Sequence, residues 1–222
     1  MHKEIRYFIY QHFMEHSNAP HYEQIAIKFN LSLDQVFEHL NNLMEDHLIV
    51  LQPHTKRILF ANPFSNIPTN FIVTDLSTGK KYYANCGWDS VATHFMIKHP
   101  IRIQTHCQET LEKIELELEN FKITKSTHQD AIVYITKPAK LWWENVIDTC
   151  SNHMYYFSSI QAANKFAKKN NYSGHALTNE QLYGLCEFLY DDKMELEYVR
   201  PTKEETISKF QELDLTSKFW EL

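Results

Sequence analysis

Tyr82-Tyr83-Ala84-Asn85-Cys86-Gly87-Trp88-Asp89 reads as the end of a strand, a turn and the first residues of a helix. The aromatic and apolar run before Asn85 suits a half-buried strand. The apolar positions Val91, Phe95 and Met96 follow at helical spacing. If Cys86 begins the helix, Asp89 lies on the same face one turn on. The unpaired N–H groups of a helix start favour a thiolate over a thiol. A soft nucleophile would then stand beside a carboxyl group able to move a proton. A cysteine in such a place is otherwise a small buried hydrophobe.

The chain on either side divides at Asn62-Pro63-Phe64-Ser65-Asn66-Ile67-Pro68, with two prolines in seven residues. Before it, residues 3–16, 21–29 and 33–46 carry apolar stripes of helical period, the last opened by Ser32 as N-cap. Strands follow at 48–51 and 57–61. Three helices and a hairpin over residues 1–62 form a winged-helix-like pattern. Such a pattern suggests DNA binding, but the third helix holds Asp34, Glu38, Glu45 and Asp46 with no Lys or Arg. Phosphate contacts need cations. Residues 1–62 are therefore expected to pack over or cover a site, with no nucleic acid as partner.

Residues 63–222 alternate short strands and helices. Strands are expected at 71–74, 81–84, 101–105, 111–121, 131–136, 154–157 and 174–177. In residues 111–121 the apolar set is Leu111, Ile114, Leu116, Leu118 and Phe121, against a solvated glutamate face. Helices are expected at 87–98, from Pro138 through Ile147, from Ser158 or Ser159 to Lys169, and from Asn179 to Tyr190, the last under a Thr178–Gln181 capping box. The last 20 residues read as a peripheral helix or frayed tail. The fold class is mixed α/β of the α+β type: a winged-helix-like N-terminal segment (1–62) on a mainly antiparallel sheet with flanking helices (63–222).

Composition narrows the function. No apolar run is long enough to span a bilayer, and Met1 to Arg6 lacks a signal-peptide core, so a cytoplasmic chain with no membrane partner is expected. The net charge of −6 repels nucleic acid and anionic lipid. The four cysteines, 86, 107, 150 and 186, include no Cys-x-x-Cys, which argues against a zinc ribbon or a thioredoxin-type motif. The 13 histidines form no recognised zinc motif. Nucleophile elbow, phosphate loop and dinucleotide fingerprint are absent.

Tyr83-Ala84-Asn85-Cys86-Gly87-Trp88-Asp89-Ser90 resembles the active-site segment of the organomercurial (alkylmercury) lyases, which carry a Tyr-Ala-x-Cys-x-x-Asp pattern. That resemblance implies that Cys86 binds mercury and Asp89 handles the proton. It also implies a structural role for Cys107, within Thr105-His106-Cys107, and a small helical N-terminal region. The family places its second mercury-binding cysteine just before a His and an aromatic strand, commonly as Cys-Cys-His. Here the segment is Cys150-Ser151-Asn152-His153-Met154-Tyr155-Tyr156-Phe157. Counting back from His153 puts Ser151 opposite that cysteine, and a one-residue slip restores Cys150, so both remain open. Similarity extends diffusely over residues 63–190, where Cys186 reads as a buried helix residue.

The resemblance implies an enzyme that cleaves carbon–mercury bonds by protonolysis, as in mercury resistance. Cys86, Asp89 and Cys150 would be catalytic, and Cys86 and Cys150 would hold the substrate mercury. No cofactor is implied, and small cytosolic thiols would carry the metal away. Trp88, Tyr155, Tyr156 and Phe157 would wall a dry pocket or simply be core. The alternative is a non-enzymatic relative that binds an organomercurial or other soft-metal small molecule through Cys86.

Overall fold

The computed structural model describes residues 1–222. Three helices open the chain: α1 (His2–His16), α2 (Tyr22–Phe29) and α3 (Leu33–Glu45). Ser32 caps α3 by accepting from the Gln35 N–H, and the Gln35 side chain accepts from the Ser32 N–H in return. Strands β1 (Val50–Leu51), β2 (Ile58–Ala61), β3 (Phe64–Ser65), β4 (Ile72–Asp75) and β5 (Lys81–Ala84) lead into α4 (Gly87–Ile97). Strands β6 (Ile101–His106), β7 (Lys113–Glu119), β8 (Lys122–Ser126) and β9 (Ile132–Ile135) follow. A 3-10 turn at Ala139–Leu141 precedes α5 (Val146–His153), β10 (Met154–Phe157), α6 (Ile160–Lys169), β11 (His175–Leu177), α7 (Asn179–Tyr190) and α8 (Lys203–Glu212). A 3-10 turn at Lys218–Trp220 ends the chain.

Every strand pairing is antiparallel. One sheet has eight strands in the order β1-β2-β3-β5-β4-β6-β7-β8, and a second has three in the order β10-β9-β11. This is the mixed α/β, mainly antiparallel architecture expected. Within the large sheet β3, too short to stand out in the sequence, joins β2 to β5. The N-terminal helices share the apolar core with the rest. Phe13 of α1 stacks on Phe64 at 5.6 Å, and the Tyr82 hydroxyl of β5 donates to the Met14 carbonyl at 3.0 Å.

Helix α4 lies at the centre, with all of its residues buried. It packs on α7, on β5 and on β10. A helix closed in on every side must satisfy its own polar groups. The Ser90 hydroxyl donates to the Gly87 carbonyl at 2.7 Å, and the Thr93 hydroxyl donates to the Asp89 carbonyl at 2.9 Å.

Several expectations change. Leu111 is 75% exposed in a left-handed turn and Phe121 is exposed, so only Ile114, Leu116 and Leu118 of that set face the core. The alternation ran past both ends of β7, where tight turns turn the side chains out. The segment after Pro138 is not one helix: it makes a single 3-10 turn and restarts at Val146, where the Asn145 side chain accepts from the Asp148 N–H. Of the two readings of the chain end, the helix holds as α8 and the frayed tail does not, because Phe210, Leu215 and Trp220 are buried against the body. Few apolar residues lie there, but Phe210 and Trp220 both pack against Trp142.

Candidate active site

Cys86 is the N-cap of α4, in extended conformation, and its Sγ accepts from the Asp89 N–H at 3.4 Å. Because Asp89 is one helical turn on, its carboxylate returns over the same thiol, which donates to Oδ2 at 3.4 Å. Two further donors converge on that carboxylate. The Tyr190 hydroxyl at the end of α7 reaches Oδ1 at 2.8 Å, and the Asn85 amide reaches Oδ2 at 3.2 Å. The start of α4 lies against β10: a Cβ at Gly87 would come into ordinary contact with the Met154 carbonyl oxygen at 3.4 Å.

The third group arrives from α5. Cys150 is 4% exposed, and its Sγ, the Cys86 Sγ and an Asp89 carboxylate oxygen all lie within 4.8 Å of one another. Ser151 is exposed. The segment before His153 is helix, not loop or strand, so the one-residue slip that would turn a strand over is only a rotation of about 100° about a helix axis. The helix turn that carries Cys150 is clamped by charge. Asp148 accepts from Lys137 at 3.0 Å and from Asn152 at 3.0 Å, and it lies 3.3 Å from His153 Nε2. His153 Nδ1 in turn meets the Thr136 hydroxyl at 2.7 Å, at the end of β9.

The electrostatics are set by burial. Burial pushes the Cys86 thiol well above its usual range, and the hydrogen bond to Cys150 and the Asp89 charge add to this, against the opposing Asp89 N–H. The expected thiolate at the helix start is therefore not the resting form: desolvation outweighs the backbone N–H. Burial also raises the Asp89 carboxyl, while Tyr190, Asn85 and Cys86 pull it back down. The pair can thus hold a proton on sulfur and receive it on oxygen. Cys186, buried in α7, is likewise a neutral thiol. At Cys107 burial raises the thiol, but hydrogen bonds from Ser158 and Thr110 win and lower it. That cysteine lies outside the cavity.

The three groups open into a cavity of about 370 Å³. Of the four aromatics read as either pocket wall or core, Trp88 lines it, and Tyr155, Tyr156 and Phe157 do not. Tyr155 packs on Phe166, and the Tyr156 hydroxyl lies 3.5 Å from Ser90, so both belong to the core. The apolar walls are instead Trp142, Trp143, Val146, Phe188 and Phe210. At the mouth, His47 stacks on Trp143 at 3.9 Å. Arg200 lies over the Trp143 ring at 4.4 Å and donates to His47 Nδ1 at 2.7 Å. Behind Asp89 stands Lys193, 6% exposed, with its Nζ 4.6 Å from the centre of the Tyr190 ring. Arg6 of α1 holds this loop by donating to the carbonyls of Lys193, at 2.6 Å, and Glu195. Sequence reasoning missed Tyr190, Lys193 and the cavity walls, because only the tertiary fold brings them to Asp89.

No curated protein matches the chain. Among solved structures, the mercury-bound form of MerB2 is similar over 87% of this chain and 91% of that chain, with a TM-score of 0.71 and 20% identity. At that identity the likeness is one of fold. The family described as MerB, alkylmercury lyase, matches residues 64–191, which is more than half of the chain and includes Cys86, Asp89, Cys150 and Tyr190. With that match laid over the buried thiols and carboxylate, the chain belongs to the alkylmercury lyase family.

Proposed function

We propose that this member of the family cleaves the carbon–mercury bond of organomercurials through Cys86, Asp89 and Cys150. The observation that carries the reading is the convergence of two thiols and one carboxylate within 4.8 Å. Mercury(II) is a soft cation that prefers sulfur, and the similar MerB2 structure holds mercury. The substrate enters as R–Hg–SR′, the adduct of a small thiol. Cys86 S–H exchanges with it, forming the Cys86 S–Hg bond and releasing R′SH. Cys150 then gives its proton to the Asp89 carboxylate and adds its sulfur to mercury, which raises electron density on the metal and weakens the Hg–C bond. Asp89 passes that proton to the leaving carbon. R–H departs, Hg(II) stays on two sulfurs, and Asp89 is ionised again. Two small thiols then remove the metal and return both protons.

The apolar walls keep water from the developing charge and take up the organic group. We also propose that residues 1–62 work as a covering unit: Arg6 and His47 reach the loops that border the site. No helix is long and apolar enough to cross a membrane. A cytoplasmic setting, where thiols stay reduced, suits the four free cysteines.

The test is release of benzene or methane from phenyl- or methylmercury in excess small thiol, with mercury binding measured in parallel. Cys86→Ala is expected to lose capture and cleavage together. Asp89→Asn is expected to keep capture and lose hydrocarbon release. Stoichiometric mercury binding by the wild-type protein with no hydrocarbon released would leave only a binding protein.

A further inference from the structure

We propose that Met154 is a third sulfur donor to the substrate mercury, beside Cys86 and Cys150. The inference rests on the reading above, in which Cys86 and Cys150 hold the metal. Met154 Sδ lies 3.7 Å from Cys86 Sγ, and Met154 lines the cavity into which both thiols open. It directly follows α5 as its C-cap, four residues after Cys150. Residues four apart share a helix face, so the turn that presents Cys150 to Cys86 presents the thioether as well. Its backbone is held as the first residue of β10, paired with Ile135.

A buried methionine is most often a flexible filler of core gaps. Two features set Met154 apart. Its sulfur faces another sulfur, and it borders a cavity where two thiols and a carboxylate already converge. Thioethers belong with thiolates among the ligands of soft metals. A thioether is also neutral and carries no proton. It can therefore donate a lone pair to the mercury of R–Hg–SR′ before either thiol gives up its proton. A third donor places more electron density on mercury than two thiolates alone. In the product state it slows loss of Hg(II) until exogenous thiols arrive.

The test uses the full chain with selenomethionine at its methionines, loaded with one equivalent of Hg(II), and X-ray absorption at the selenium and mercury edges. A mercury neighbour at selenium is expected in the wild-type protein and none in Met154→Leu, a swap of similar shape that cores accept. In parallel, Met154→Leu with its natural sulfur is expected to release Hg(II) to a competing dithiol about tenfold faster, the order lost when one supporting group of a metal site is removed. If mercury binds through two sulfurs and the selenium edge shows carbon neighbours alone, the proposal is overturned while the two-cysteine site stands. Mercury that does not bind at all overturns both. Should Met154→Leu fold poorly, the wild-type selenium spectrum decides by itself.

Discussion

The Tyr190 hydroxyl donates to Asp89 Oδ1 at 2.8 Å, joining the end of α7 to the first turn of α4 across 101 residues of sequence. Burial raises the Asp89 carboxyl, and this bond is the foremost influence pulling it back. Removing the hydroxyl in Tyr190→Phe therefore raises Asp89 further. In the proposed mechanism Asp89 must be ionised to accept the Cys150 proton, so the acid limb of the pH profile is expected to move to higher pH. A hydrogen bond to a charged group is worth about 1.5–3 kcal/mol, or roughly one to two pH units at 1.36 kcal/mol each. Single-turnover hydrocarbon release measured across pH checks this. An acid limb that stays in place would show that Tyr190 does not set the Asp89 charge.

Cys150 and Ser151 make opposite claims on the second sulfur position. Cys150 is buried within 4.8 Å of Cys86, and Ser151 is exposed. Cys150→Ser is expected to slow cleavage by at least about a hundredfold, near the loss typical of a positioned catalytic group. Ser151→Ala should stay within about twofold of wild type, because exposed substitutions away from a site have small effects. Equal losses in the two variants would mean that α5 is rotated in the working protein.

What the sequence made legible was local. The Cys86–Asp89 spacing depends on one helical turn, so the pairing of thiol and carboxylate followed from the residues alone. Ser32 and Thr178 announced their helices through short-range caps. Cys150 could not be placed, because its direction depends on whether residues 146–153 are helix or extended. The N-cap at Asn145 that decides this stands inside what reads as a single apolar helix after Pro138. Tyr190, Lys193 and Phe210 carry no motif. They matter only because α7 packs on α4 and the chain end folds back over Trp142. The charge state of Cys86 also escaped. The helix start is visible in sequence, whereas the complete burial that outweighs it comes from packing on every side of α4.

Helix α3 carries Asp34, Glu38 and Glu45 and no cation, so residues 1–62 are expected to give no purchase on phosphates. Non-specific DNA binding by basic proteins sets in at about micromolar concentrations and above. Duplex DNA titrated with micromolar protein at low salt is expected to show no shift. A shift that weakens with added salt would restore DNA binding to this segment.

Lys193 is buried behind Asp89 with its Nζ over the rings of Tyr190 and Tyr10, at 4.6 and 5.5 Å. Burial lowers it from 10.5 to about 7; the Asp89 charge works against this, and Arg200 and Arg6 add to it. The sign follows from which state binds the proton. Well above pH 10.5 both folded and unfolded chains hold a neutral amine, and burial carries no electrostatic cost. As the pH falls from 10.5 towards 7, the unfolded chain takes up a proton that the folded chain refuses, and stability drops. Below about 7 both states are protonated, and the loss is complete and constant. At 1.36 kcal/mol per pH unit this amounts to a few kcal/mol, on the order of the whole effect of a severe point mutation. Lys193→Met removes the titrating group and keeps much of the apolar stem. The variant is expected to be more stable than the wild type near pH 6.5, with the gap closing as the pH rises to 10. Urea unfolding of the two proteins at both pH values measures it. A gap of equal size at pH 6.5 and pH 10 would mean that the Lys193 amine already reaches water in the folded protein.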